Sequence, residues 1–113
     1  MSVTLTSIFD TVSKESTRPL LALEIIFFCV DQYRLNKHLI LKHEIDEALC
    51  LDEIKRKGFA KNSSNVLTAL EKSGILKKFS IVNGEARSYR GSPFPLAVSL
   101  ENSTIAAFSH VER

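Results

Sequence analysis

The stretch Leu76-Lys77-Lys78-Phe79-Ser80-Ile81-Val82-Asn83-Gly84-Glu85-Ala86-Arg87-Ser88-Tyr89-Arg90 decides the fold. It reads as two strands joined by Asn83-Gly84, the pair favoured in a two-residue hairpin turn because both positions need φ > 0. Ala86, Ser88 and Arg90 face one way on the returning strand, Arg87 and Tyr89 the other. Gly91-Ser92-Pro93-Phe94-Pro95 ends the return. Immediately upstream, Val66, Leu67 and Leu70 share one face of a helix predicted over 64–73, which Gly74 closes. Asn62-Ser63-Ser64 reads as its N-cap cluster.

Further back, Ile45, Ala48 and Leu49 give helical spacing over 43–51, with acidic Glu44, Asp46 and Glu47 near the start, where the macrodipole favours them. Residues 52–57 either extend that helix or begin a separate turn, and Gly58 reads as a C-cap. Leu39-Ile40-Leu41 is a short β-like run. A helix from Pro19 to about Leu35 is apolar nearly all round, so it is either central in the fold or covered by a partner subunit. Leu5, Ile8, Phe9 and Val12 predict an amphipathic helix over 4–16. Residues 93–113 read as a C-terminal tail with a final helix around 103–111 (Ile105, Phe108, Val111).

Charge is unevenly placed. Residues 1–54 carry five Lys/Arg against nine Asp/Glu, whereas residues 55–90 carry nine Lys/Arg against Glu71 and Glu85. A basic segment in a chain of net charge +2 is the footprint expected for a polyanion, usually nucleic acid; a solvated surface without a partner is the alternative.

In its order of helix, short strand, helix, turn, helix and basic hairpin, the segment 36–92 resembles a winged helix-turn-helix domain. Residues 43–51 stand where that family has its positioning helix, 62–73 where it has its recognition helix, and 77–90 where it has its wing. The sequence Ser64-Asn65-Val66-Leu67-Thr68-Ala69-Leu70-Glu71-Lys72-Ser73-Gly74-Ile75-Leu76 is similar to the family's third helix and its exit into the wing. One departure stands out: about ten residues separate Leu51 from Asn62, against a usual turn of about 3–4. The expected fold is α+β, mainly α, with a two-stranded wing and an extra N-terminal helix. It forms a single domain over 1–113, divided into N-terminal helices (1–35), the winged-helix core (36–92) and the tail.

The resemblance implies sequence-specific binding to double-stranded DNA, as a small transcriptional regulator. Asn62, Ser63, Ser64, Asn65, Thr68 and Lys72 are the candidates for base edges in the major groove, where Asn pairs with adenine and Ser or Thr serves several bases. Lys55, Arg56, Lys57 and Lys61 would meet phosphate. Arg87 and Arg90 would reach the backbone or minor groove. A homodimer through residues 19–35 would set two recognition helices about 34 Å apart.

Plainer roles stand beside these. Capping alone accounts for Asn62, Ser63 and Ser64. Lys77 and Lys78 serve equally as charges on a strand edge. Tyr89 either packs on the domain or stacks on a base. A winged-helix module that binds protein within a replication or transcription assembly is the main rival function, since fold alone does not choose. Single-strand binding is weaker, because only Phe79 and Tyr89 could act as stacking platforms.

Other classes find little support. His38, His43 and His110 show no metal spacing, and the two cysteines, Cys29 and Cys50, form no Cys-x-x-Cys pair. No nucleophile elbow or phosphate-cradling glycine loop is present, so neither an enzyme nor a cofactor is expected. Both cysteines lie among apolar residues and suit reduced, buried thiols, although the sequence is also compatible with a disulfide. The apolar run 20–30 contains Glu24 and is too short to span a bilayer. The start of the chain lacks a signal-peptide pattern. A cytoplasmic protein, associated with the nucleoid if it binds DNA, is expected.

Overall fold

The computed structural model describes residues 4–91 and 93–109. In chain order the elements are α1 (Leu5–Glu15), α2 (Pro19–Arg34), β1 (Ile40–Leu41), α3 (Lys42–Leu49), α4 (Glu53–Lys72), β2 (Leu76–Val82), β3 (Glu85–Ser88), β4 (Leu96–Leu100) and α5 (Asn102–Phe108). The fold is α+β, mostly helical, with one antiparallel sheet ordered β1-β4-β2-β3.

Local chemistry explains most boundaries. Thr4 and Ser7 exchange backbone N–H donors with each other's hydroxyls at 3.1 and 2.9 Å, a capping box that opens α1. Pro19 opens α2, where its missing N–H is no loss. Asn83 (φ 53°) and Gly84 (φ 80°) form the hairpin turn between Val82 and Glu85. At the end of α4, Gly74 takes φ 77°; its N–H reaches the Glu71 carbonyl and the Ile75 N–H reaches that of Leu70, both at 3.0 Å. This is a Schellman motif, and buried Leu70 and Ile75 supply its apolar contact.

The core centres on α2. Ala22, Ile25, Ile26, Cys29 and Val30 are buried, and the helix packs against α1, α3, α4 and β4. The chain's own elements thus cover most of the apolar surface of this helix. Leu20 remains exposed, and Phe27 sits at the surface between the rings of Phe9 and Phe108.

Several expectations need correction. Gly58 does not cap a helix; α4 runs unbroken from Glu53 to Lys72. Its N-cap is Asp52, whose Oδ1 accepts the Ile54 N–H at 2.9 Å, rather than Asn62-Ser63-Ser64. Those polar residues sit inside the helix because the Ser63 and Ser64 hydroxyls donate back to the Ala60 carbonyl. The turn between α3 and α4 is therefore only Cys50, Leu51 and Asp52.

In place of a tail, residues 96–100 form β4, which lies between β1 and β2 and pairs Leu76 with Leu100 and Ile40 with Val98. Its apolar run carries no period of its own. Strand β2 lies between β4 and β3, but β3 pairs only with Phe79–Val82, so Lys77 and Lys78 are paired with β4 on one side and stand at an open strand edge on the other. Strand β3 ends at Ser88, before Tyr89 and Arg90. The final helix is α5, and the part of the expected helix at His110 and Val111 lies outside the described residues. Both cysteines are free; Cys29 is buried, but Cys50 is only half-buried in the α3–α4 turn.

Candidate nucleic-acid interface

Helix α4 has two faces. Ser63, Val66, Leu67 and Leu70 are buried. On the opposite side, Ile54, Lys57, Lys61, Asn65, Thr68 and Lys72 recur at helical spacing, and all but Thr68 are exposed. Lys55 is exposed on the flank.

A buried polar contact fixes α4 against α3. Asp46 is buried, accepting from Ser63 Oγ on Oδ1 and from Lys42 Nζ on Oδ2, each at 2.6 Å. Each carboxylate oxygen thus has a partner, as a buried charge requires. Ser63 is therefore a structural residue and not an outward base reader. Arg56 is drawn in as well: its Nε and Nη2 donate to the Cys50 carbonyl at 3.1 and 2.9 Å, closing the turn. Of the four basic residues expected to meet phosphate from this region, Lys55, Lys57 and Lys61 have free reach, while Arg56 spends two donors on the fold.

The hairpin approaches the outward face of α4 through Lys78. Its Nζ donates to Thr68 Oγ1 at 2.8 Å and lies 4.8 Å from the Tyr89 ring centroid. Thr68 donates in turn to the Ser64 carbonyl at 3.1 Å. Thr68 and Ser64 are thus engaged locally, and Tyr89 packs on a lysine. Asn62 is half-buried, bordering a groove with Leu20, Leu21 and Phe59. Arg87 pairs with Glu85, both exposed; such pairs are weak and exchange readily for another anion. Arg90 lies 6.0 Å from the Phe94 ring, while its backbone N–H donates to buried Ser80 Oγ at 2.7 Å, anchoring the base of the hairpin.

The C-terminal half of the outward face is bordered by α1. Thr11 and Glu15 line a groove of about 560 Å³ with Asn65, Thr68, Ala69, Lys72 and Ser73. A carboxylate therefore stands near Lys72, whereas the N-terminal half of the face is open.

The arrangement brings together Lys57, Lys61, Asn65, Thr68 and Lys72 with the hairpin's Lys78, and sets Ser63 and Arg56 apart from them. Sequence reasoning missed Ile54, Asp46 and Lys42. A signal for Ile54 existed: it is the one apolar residue in Asp52-Glu53-Ile54-Lys55-Arg56-Lys57. Among the described residues no group of three or more His, Cys, Asp or Glu could hold a metal ion, and no helix is long and apolar enough to cross a membrane. Burial pushes the Cys29 thiol up to about 12, which keeps it protonated and unreactive. Comparison of the chain with protein-family models, with curated proteins and with solved structures found no match.

Proposed function

We propose that this chain is a winged-helix domain that binds double-stranded DNA with sequence preference, as a small transcriptional regulator of the cytoplasm and nucleoid. The observation that carries the reading is the lysine-bearing outward face of α4, unburied by the rest of the fold and joined to a basic hairpin through Lys78. In this reading α3 positions α4, and their three-residue connection suits a helix-turn-helix. Strands β1, β4 and β2 form the small sheet, and β3 extends the wing. Asn65 and Thr68 meet base edges, while Lys55, Lys57, Lys61 and Lys72 meet phosphate. Arg87 and Arg90 carry the wing onto the backbone or minor groove. Two copies associate through the exposed part of α2, where Leu20 and Phe27 lie, with Phe9 beside Phe27. No catalytic role and no cofactor are part of this proposal.

The test is fluorescence anisotropy with a random-sequence duplex at about 50 and 200 mM salt, a range over which backbone-driven binding changes by orders of magnitude. Affinity should collapse with salt, and the Lys57→Ala/Lys61→Ala protein should lose about two units of log–log salt slope. A salt-independent affinity would overturn the reading. Sedimentation at micromolar concentration checks the dimer, and a monomer there would remove that part.

A protein-binding module is the second reading. The position of Glu15 beside the outward face favours it, since that carboxylate repels phosphate. No DNA binding at low salt would make it the better account.

A further inference from the structure

We propose that the base-reading surface extends beyond Asn65 and Thr68 into the first two turns of α4, where Ile54 packs on thymine methyl groups in the major groove and Gly58 lets the helix backbone settle against the groove edge. This rests on the double-stranded-DNA reading above and adds a point of base contact about ten residues nearer the N-terminus than the region that the sequence suggests.

Two independent observations carry it. Ile54 is 92% exposed, whereas the other eight isoleucines are buried or half-buried. Leu51, three residues earlier, is 84% exposed. Nothing inside the fold covers either side chain to any useful extent.

Gly58 lies one turn beyond Ile54 on the same face. A Cβ built there meets nothing within 4 Å. Its φ is not among the positive ones, so the backbone does not call for glycine. Glycine also weakens a helix interior relative to alanine. Packing and conformation thus leave this glycine without a use in the fold, while a bare Cα on an outward face suits close approach by another molecule.

Charge selects the occupant. Lys57 and Lys61 share the face and Lys55 flanks it, all exposed. The Asp52 carboxylate is occupied as the N-cap; Glu53 stands about 100° from Ile54 on the flank opposite Lys55, so three lysines face one exposed carboxylate here. A narrow apolar and bare strip with Lys55, Lys57 and Lys61 on or beside it, against the single carboxylate of Glu53, suits the major groove, whose floor carries thymine methyls and base edges and whose walls are phosphate.

The test uses a duplex pool enriched by selection on the wild-type protein and synthesised twice, once with thymine and once with uracil, which lacks only the C5 methyl. Wild type should bind the thymine pool about three- to fivefold more tightly, the worth of one buried methyl. Ile54→Ala should bind both pools alike, with an unchanged Tm. Gly58→Ala should raise Tm by about 4 °C and lower affinity for both pools by about tenfold. Opposite signs in those two measurements mark an interface glycine, because a structural one would shift stability without costing affinity. Equal binding of the two pools by wild type, or undiminished affinity in Gly58→Ala, would overturn the inference while DNA binding stood. Failure of the wild-type protein to enrich any duplex at about 50 mM salt would overturn the DNA reading itself.

Discussion

The two halves of α4 live in different surroundings. From residue 63 to 72, Ser63, Val66, Leu67 and Leu70 are buried, whereas from 53 to 62 no side chain is buried. Each half is about 15 Å long. The second half is dictated by the core and the first is not. Its order comes from the Asp52 cap, the Arg56 contacts with the Cys50 carbonyl, and continuity with the anchored half. The exposed face of a stretch that the fold holds so lightly is free to carry side chains chosen for a partner.

The contrast can be broken most severely in the anchored half. Leu67→Ala removes a fully buried side chain and should cost about 2–5 kcal/mol by denaturant unfolding. Asp46→Ala should cost about 2 kcal/mol, below the usual figure for breaking a buried pair because Lys42 keeps some solvent contact. It should also loosen α4 against α3, visible as lost hydrogen-exchange protection in α3.

Cys29 gives a pH test of the core that α4 helps to close. Its folded pKa is about 12 against an ordinary value of 9.0. Above pH 9 the unfolded chain releases this proton while the folded chain keeps it, so stability must fall as pH rises from 9 to 12. The Cys29 contribution approaches about 1.4 kcal/mol per pH unit. Cys29→Ala should lack that part of the slope when unfolding is measured at pH 8, 9 and 10.

The smallest effect belongs to the unburied half. Ile54→Ala should change unfolding free energy by less than about 0.5 kcal/mol. A larger loss would mean that Ile54 is held by the fold, and the contrast between the halves would disappear.

Much of this architecture was legible in residues. The Asn83-Gly84 turn, the Pro19 start of α2 and the apolar spacing of α1 each have a strong local cause, and each lies where the sequence predicts. The start of α4 was not legible, because Gly58 and Asn62-Ser63-Ser64 have the composition of a helix break. Only the third dimension reveals that Ser63 has Asp46 to bond, from an element 17 positions back. Strand β4 was hidden for a related reason: Leu96-Ala97-Val98-Ser99-Leu100 becomes a strand through its neighbours β1 and β2, which no local period announces. At the candidate interface, the exposed lysines of α4 were readable as charge. The withdrawal of Arg56 and Ser63 into the fold was not, because it depends on the turn at Cys50.

The unbroken course of α4 has a consequence for its amide protons. In the second half, backbone N–H groups lie under the core and should exchange only when the whole domain opens. In the first half little beyond the Arg56 hydrogen bonds and half-buried Phe59 and Ala60 must let go before the turns fray, so exchange there should proceed through small local openings at far lower free energy. One continuous helix would then show a step in protection near Ser63.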